Sequence, residues 1–396
     1  MGIQTSQTAG TPSRFEDSTS IRGFQPGAVK SSRWKREGTD KKGGGRWGVV
    51  LAGGSGSRLS ELTIDATGMV VPKQYCSFLG GPSLVRTTIE RLRRVVDSSR
   101  IMVVVSSAHR IWWERDLFDI APENIIVQPC NRGTACGVLL PLLSILHRDP
   151  HARIVVSPSD HYVRDEETLT WSLMEALAHV DARPRLLVLL GMEPDRPETE
   201  YGWITPLPGS TDTVRGVTSF VEKPDPERAD ELMRSGALWS SFTFVATGKT
   251  LMRHFRRSLP QLVDRFSMGL TFVSSDHRRD DLQRLYEGLP TVDFSRLVLE
   301  QSQEGVHVLP VPPCGWTDLG TPRRVSECAA RYGCPHSNSG NDFVREPEGD
   351  LAPLPTASRN FRRCDVDLAE VALRASESDT RSDSRHSTVA APSGLE

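Results

Sequence analysis

Short runs of Val, Ile and Leu alternate with amphipathic segments along most of the chain. Eight runs have the length and composition of buried β-strands, and they cover residues 47–52, 101–105, 125–127, 154–157, 186–190, 214–222, 242–245 and 306–309. The segments between them have helical spacing of apolar residues, at 82–96, 108–118, 133–147, 166–180, 226–235 and 249–257. Apolar strands separated by helices predict a doubly wound α/β domain whose mainly parallel sheet is covered on both faces.

The two ends of the chain lack this pattern. Residues 1–46 are rich in Ser, Gly, Thr and basic residues, and residues 334–396 are rich in Ser, Asp and Arg. Segments of this composition bury too little apolar surface to fold. We therefore expect disordered tails on either side of a folded domain at 47–333. No six-residue β-helix repeat is found after residue 320, so no C-terminal β-helix is expected.

Composition restricts the class of protein and its partners. The chain has 396 residues, of which 37% are hydrophobic and 25% charged, with a formal net charge of −2. It lacks the basic field of a nucleic-acid-binding protein, an apolar run long enough to span a membrane, and the apolar core of a secretory leader. The seven cysteines contain no Cys-x-x-Cys pair, which favours reduced thiols over a disulfide framework or a zinc site. We expect a cytoplasmic protein that binds neither nucleic acid nor membrane.

A glycine-rich segment, LAGGSGSR at residues 51–58, follows the first predicted strand, and Pro72-Lys73-Gln74 comes shortly after it. Glycines let backbone N–H groups approach phosphate oxygens, and a following helix adds partial positive charge. Arg58 and Lys73 would supply cations. The segment does not match the dinucleotide-binding fingerprint, because Leu59 occupies the position of the third glycine. Gly248-Lys249-Thr250 resembles the end of a P-loop but lacks the upstream glycine of that motif. We interpret Gly248-Lys249-Thr250 as a strand-to-helix turn. The glycine-rich segment at 51–58 predicts a nucleotide-phosphate cradle, with a tight turn that binds no ligand as the alternative.

Carboxylates stand at the ends of further segments. Asp160 follows the predicted strand at 154–157, and Asp318 lies in Gly315-Trp316-Thr317-Asp318. Either aspartate is suited to hold a divalent metal against phosphates, and a turn or helix cap is the alternative for Asp160. Glu222 and Lys223 end the predicted strand at 214–222. They would accept sugar hydroxyls and pair with a phosphate monoester, or else form an exposed ion pair.

Seven segments, in this order along the chain, resemble the motifs of the sugar-phosphate nucleotidyltransferases. The resemblance extends over about residues 47–333, and the segments are 51–59, 72–74, 128–135, 159–161, 200–204, 220–224 and 316–320. It implies a Rossmann-like nucleotide-diphospho-sugar transferase fold. It also implies that GTP and mannose 1-phosphate are converted into GDP-mannose and pyrophosphate with Mg²⁺ as cofactor, and it is compatible with a homodimer.

The same resemblance implies roles for individual residues. Catalysis is expected from Arg58, Lys73 and Asp160. The expected nucleotide contacts are Leu51, Ala52, Gly53, Gly54, Gly56, Gln128, Gly133 and Thr134. The expected sugar-phosphate contacts are Tyr201, Gly202, Glu222, Lys223 and Ser240. The metal is expected on Asp160 and Asp318.

Three segments depart from the family pattern. Ser60-Glu61 stands where Trp-Pro or Phe-Pro is usual, and residues 239–242 read WSSF where the sugar-side motif reads Trp-Asn-Ser-Gly. The segment 293–301 is two residues longer than the family's Asp-Tyr-x-x-x-Glu-Lys run and lacks its lysine. Two alternatives therefore stay open. One is the same chemistry with another pair, such as UTP or dTTP with glucose 1-phosphate. The other is a regulatory protein that binds nucleotide sugars without catalysis.

Overall fold

One mixed sheet organises the part of the chain that the computed structural model describes, residues 44–271 and 278–333. The tails expected at 1–46 and 334–396 lie outside the described residues, apart from 44–46. The strands are β1 (Arg46–Ala52), β2 (Ile101–Ser106), β3 (Ile125–Gln128), β4 (Arg153–Pro158), β5 (Leu187–Met192), β6 (Gly202–Pro206), β7 (Arg215–Glu222), β8 (Leu238–Thr247) and β9 (Val306–Val311). All eight predicted strands are confirmed. The additional strand is β6, which is short and begins at a glycine.

The strand order is β3-β2-β1-β4-β8-β5-β9-β7-β6, with a further pairing between β8 and β6. Neighbours are parallel from β3 to β4 and between β5 and β9. The pairs β4–β8, β5–β8, β6–β7, β6–β8 and β7–β9 are antiparallel. The expectation of a mainly parallel sheet is therefore right for the strands from β3 to β4. It is wrong for the strands from β8 to β6, where only β5 and β9 are parallel. Residues 207–214 between β6 and β7 hold no crossover helix, so these two strands return antiparallel.

Helices cover the sheet, and they are α1 (Leu84–Arg93), α2 (Arg110–Asp116), α3 (Gly133–Arg148), α4 (Glu166–Ala182), α5 (Pro226–Arg234), α6 (Gly248–Ser258), α7 (Pro260–Thr271), α8 (Arg278–Glu287) and α9 (Pro322–Tyr332). The six predicted helices are confirmed, and α7, α8 and α9 were not predicted. Several begin at side chains that cap the helix. Asp165 accepts hydrogen bonds from backbone N–H groups at the start of α4, and Thr247 does so at the start of α6. Gly248 thus begins a helix directly after a strand, as interpreted from the sequence.

Buried apolar side chains lie on both faces of the sheet, which confirms the doubly wound layering. Val50 and Ala52 of β1 belong to one core cluster, whereas Trp47 and Val49 belong to the other. The carboxyl ends of β1 to β4 share one edge, where open α/β sheets bind ligands. That edge carries the glycine-rich loop, Gln128 and Asp160. No helix in the described ranges is long and apolar enough to cross a membrane.

Candidate functional site

The glycine-rich loop after β1 is held by side chains that donate hydrogen bonds to its backbone carbonyls. Gln74 is buried, and its Nε2 donates hydrogen bonds to the carbonyls of Ala52 at 2.9 Å and Gly54 at 2.8 Å. The carbonyl of Leu51 accepts from Ser159 Oγ at 2.7 Å. A Cβ added at Gly54 would meet no described atom within 4 Å, so this part of the loop borders open space. Sequence reasoning quoted Gln74 in its motif but assigned it no role.

Gly56 sits where a side chain does not fit. Its φ of 62° lies in the left-handed region, which favours glycine. An added Cβ would also come within 2.8 Å of Lys73 Cβ. The glycine therefore allows the loop to lie directly against the 3-10 turn Lys73–Tyr75.

Lys73 joins the two predicted acidic segments. Its side chain is only 6% exposed, and its Nζ lies 2.9 Å from Asp160 Oδ2. The same ammonium donates a hydrogen bond to the backbone carbonyl of Asp318 at 2.7 Å. The structure thus brings together three residues that are far apart in sequence. The resulting cluster, Lys73–Asp160–Asp318, is called the cationic centre below.

Asp160 is held as a carboxylate. Burial would raise its pKa, but Lys73 and then His161 outweigh that effect and lower the pKa to about 2. Burial in turn lowers the pKa of His161, despite the neighbouring carboxylates. His161 Nδ1 accepts from Trp316 Nε1 at 3.2 Å, so in the neutral ring the proton is assigned to Nε2, 3.6 Å from Asp160 Oδ1.

Asp318 presents its side chain to a different set of groups. Its Oδ1 accepts from Tyr201 Oη at 2.8 Å and from Gly320 N at 2.9 Å, and it lies 3.1 Å from Arg324 Nε. Arg324 is buried, pairs with Glu198 at 3.1 Å, and lies 4.8 Å above the Tyr201 ring. Burial and then Asp318 raise the pKa of Tyr201, so its hydroxyl stays protonated and donates. No local sequence pattern identified Arg324.

The cationic centre supplies only some of the ligands that a divalent metal needs. Asp160 fits, because its carboxylate is ionised and 39% exposed. Asp318 Oδ1 is already contacted by Tyr201 and Arg324, and its backbone carbonyl by Lys73. The described ranges contain no group of three or more His, Cys, Asp or Glu side chains that could hold a metal. Mg²⁺ commonly uses one or two carboxylates and completes its shell with phosphate oxygens and water, so the donor set suits Mg²⁺ bound together with a nucleotide.

Arg58 lies on the exposed side of the loop and does not belong to the cationic centre. Its guanidinium forms an ion pair with Glu200, and both side chains are largely exposed. Glu200 directly precedes Tyr201. The ion pair therefore links the glycine-rich loop to the segment in which sugar contacts were predicted.

Gln128 ends β3 next to the glycine-rich loop. Its buried amide donates to Tyr286 Oη at 2.8 Å. Its Oε1 lies 3.0 Å from the position of a Cβ added at Gly53. Tyr286, on α8, thereby fixes the orientation of the Gln128 amide. Sequence reasoning missed Tyr286, since it lies more than 150 residues away along the chain.

Gly133 and Thr134 pack against the chain segment that precedes a short π-helical turn at Ser295–Leu299. Gly133 has a φ of 84°, and a Cβ there would lie 2.3 Å from the carbonyl oxygen of Val292. Thr134 Oγ1 accepts from Phe294 N at 2.8 Å. Both predicted nucleotide contacts thus have a packing role in this structure, at the start of α3.

Glu222 lies over Gly202 on the neighbouring strand. A Cβ at Gly202 would come within 2.7 Å of Glu222 Oε2, so the glycine makes room for the carboxylate. Burial and then Asp293 raise the pKa of Glu222 to about 7, although Lys223 acts in the opposite direction. Glu300 Oε1 accepts from the Glu222 backbone N–H at 3.2 Å. Glu222 is thus a predicted sugar-side residue whose raised pKa lies close to neutral pH.

The other predicted sugar-side residues lie in locally irregular backbone. Lys223 is exposed and has a φ of 53°. Ser240 Oγ accepts a hydrogen bond from Phe242 N at 3.3 Å. Phe242 itself has a φ of 56°.

Comparisons with known proteins bear on the family to which this chain belongs. A family model described as "Nucleotidyl transferase" matches residues 47–333. The chain is 31% identical over 304 residues to mannose-1-phosphate guanylyltransferase ManC of Salmonella typhimurium, covering 74% of this chain and 60% of that protein. It is 31% identical over 281 residues to the alginate biosynthesis protein AlgA of Pseudomonas fluorescens, covering 69% and 56%.

A solved structure described as mannose-1-phosphate geranyltransferase from Thermus thermophilus has 30% identity and a TM-score of 0.62, over 74% of this chain and 81% of that chain. This likeness supports the nucleotide-diphospho-sugar transferase fold. The chain spans about three fifths of the length of the curated relatives that it matches. Because the family model covers well over half of the sequence, the chain belongs to the nucleotidyl transferase family.

Proposed function

We propose that this chain is a sugar-phosphate nucleotidyltransferase that makes GDP-mannose and pyrophosphate from GTP and mannose 1-phosphate in the cytoplasm. The observation that carries the proposal is the cationic centre, in which a buried lysine lies between Asp160 and Asp318 at the edge of the sheet that bears the glycine-rich loop. The name of the relative from Salmonella typhimurium supports the choice of GTP and mannose 1-phosphate.

The chemistry needs positioning and charge neutralisation more than covalent help. A phosphate oxygen of mannose 1-phosphate attacks the α-phosphorus of GTP in line, and pyrophosphate leaves. The backbone N–H groups of residues 53–56 bind the triphosphate, on the open side of the loop. Lys73 stabilises the charge that develops at the α-phosphate, and Arg58 the charge on the leaving pyrophosphate.

Arg58 must exchange its partner in this scheme. Glu200 holds it in an exposed ion pair, and such pairs contribute only about 0–1 kcal/mol, so a triphosphate competes readily for the guanidinium. On the sugar side, Glu222, Lys223 and Ser240 would contact mannose 1-phosphate. A carboxyl with a pKa of about 7 stays partly neutral at physiological pH, which lowers its repulsion of a phosphate.

Asp160 would hold Mg²⁺, and Asp318 would join it by exchanging one of the contacts of its side chain. When bound, the ion would neutralise phosphate charge and lower the barrier to displacement. Asp160 suits this role because the charge of Lys73 keeps it ionised. The roles of Leu51, Ala52, Gln128, Gly133 and Thr134 in the proposal are to shape the nucleotide side of the site.

A pyrophosphate-release assay tests the proposal. The enzyme is given each of GTP, UTP, dTTP and ATP with each of mannose 1-phosphate and glucose 1-phosphate, with Mg²⁺ and with a chelator. We expect the highest kcat/KM for GTP with mannose 1-phosphate, and loss of turnover in the chelator. Light scattering on the same preparation tests the homodimer. Tight nucleotide binding without pyrophosphate release for any pair would refute the catalytic proposal and favour a regulatory protein.

One observation favours a second substrate pair. Phe242 stands where the resembling family has a glycine on the sugar side, and it keeps a left-handed backbone. A ring at this position changes the space available to the sugar. A higher kcat/KM for pyrophosphate release from the nucleoside triphosphate when glucose 1-phosphate, and not mannose 1-phosphate, is the acceptor would establish this alternative.

A further inference from the structure

Three non-glycine residues in the described ranges have a left-handed backbone, and each lies within two residues of a candidate site residue. They are Lys223 with φ 53°, Phe242 with φ 56° and Leu319 with φ 48°. This conformation is strained for a non-glycine residue, and such residues cluster at active sites and ligand-binding segments. Phe242 is the bulkiest of the three, so its position needs the strongest justification.

A bulge in β8 produces the conformation of Phe242. Leu189 of β5 pairs with Phe244, and Gly191 pairs with Ser240, so one residue of β5 stands opposite three of β8. Ser241 Oγ donates to the Leu190 carbonyl at 2.9 Å and holds the bulge in place. Bulges next to active sites turn a side chain toward a new direction.

The ring of Phe242 packs against those of Phe244 and Phe294, and the neighbours of Phe294 in sequence act on Glu222. The centroid of the Phe242 ring is 6.0 Å from that of Phe294, and Phe294 lies between Asp293 and Ser295, which both act on the Glu222 carboxyl. Phe242 is half-buried against one of the two core clusters, so part of the residue remains exposed. In the sheet, Phe244 pairs with Val156 near the carboxyl end of β4, which leads to Asp160.

We propose that Phe242 is a specificity-determining residue whose ring forms an apolar wall for the sugar ring of the acceptor. This inference rests on the proposed function. A phenyl ring has no donor or acceptor for sugar hydroxyls, so a hydroxyl that faces it loses water without replacement. A face of C–H groups instead gains apolar contact. The site therefore selects hexose 1-phosphates that present C–H groups, and no hydroxyl, to the ring.

Steady-state kinetics of Phe242→Gly and Phe242→Ala test the inference. Both variants remove the ring, and we expect the KM for the sugar 1-phosphate to rise about tenfold in each, with the KM for the nucleotide within about twofold of wild type. We also expect the ratio of kcat/KM between mannose 1-phosphate and glucose 1-phosphate to move closer to one in both variants. An unchanged sugar KM, or an equal rise in both KM values, would overturn the inference.

A stability measurement separates the ring from the backbone. Alanine keeps the strain of a left-handed residue and glycine relieves it, so Phe242→Gly should unfold at a higher urea concentration than Phe242→Ala. If the two variants differ in stability but share the same sugar KM, the kinetic loss comes from the missing ring. If the sugar KM follows stability instead, the ring has only a structural role.

Titration calorimetry distinguishes this inference from the proposed function. Mannose 1-phosphate and glucose 1-phosphate are titrated into wild type and both variants in the presence of an unreactive GTP analogue. A wild type that shows no turnover but binds sugar phosphate through Phe242 refutes the proposed function and retains this inference. Sugar affinity that is equal in all three proteins, or undetectable in all, overturns it.

Discussion

Replacing Lys73 by methionine removes the charge of the cationic centre and keeps most of its volume. In the structure, Lys73 Nζ contacts Asp160 Oδ2 at 2.9 Å and the Asp318 carbonyl at 2.7 Å, and both contacts are lost. Loss of one preorganised group at the transition state costs about 3–4 kcal/mol, which is about a hundredfold to a thousandfold in kcat. Without Lys73, the pKa of Asp160 rises because burial is then less opposed.

The same change affects stability less than activity. Removing one partner of a buried pair costs about 3–5 kcal/mol. Asp160 is 39% exposed, however, so water solvates the remaining carboxylate. We expect a loss nearer about 1 kcal/mol, which is typical of exposed pairs. The sequence alone suggested no folding cost for this lysine, whereas its burial in the structure predicts a measurable one.

Pyrophosphate release at saturating substrates and urea unfolding give the two readouts for Lys73→Met. Lys249→Met is the matched control, because Lys249 is exposed and its Nζ lies 3.4 Å from His151 Nδ1, away from the cationic centre. We expect the control to keep both its kcat and its stability. A folded Lys73→Met variant with kcat within about threefold of wild type would refute the role assigned to this lysine.

Three further changes test other parts of the site. Glu200→Gln frees Arg58 from its ion pair, so the KM for GTP should fall by up to about fivefold in initial-rate assays, and a rise would contradict the reasoning. Gln74→Leu removes the side-chain donor of the Gly54 carbonyl, at about 1–3 kcal/mol, whereas the Ala52 carbonyl keeps Tyr75 Oη at 3.3 Å. Calorimetry should show weaker nucleotide binding, and unchanged affinity would count against an anchoring role. Glu222 has a folded pKa of about 7, above its ordinary 4.5, so its stability contribution is greatest below 4.5 and is lost as pH rises through about 7. Urea unfolding at about pH 5 and about pH 8 should show this loss in wild type and not in Glu222→Gln, and identical pH dependence in both would be the contrary result.

The local pattern of residues was enough to identify most strands and the edge of the sheet where the site lies. Apolar runs predicted every strand except β6, and the glycine-rich loop and Asp160 were each expected just after a strand. The parallel register pairs Leu51 with Pro158, so the two loops that follow must meet at one edge. This inference needs only side-chain periodicity and chain order, which are properties of neighbouring residues.

Packing between distant segments decided the rest. Tyr201 reaches Asp318 across 117 residues, and Gln128 reaches Tyr286 across 158. Such contacts also set the antiparallel direction of several strands, the burial that raises the pKa of Glu222, and the bulge that turns Phe242. These features depend on which surfaces meet after folding, and the free energy of those contacts is set by shape and burial. The local spacing of residues along the chain determines neither the shape of these surfaces nor their burial.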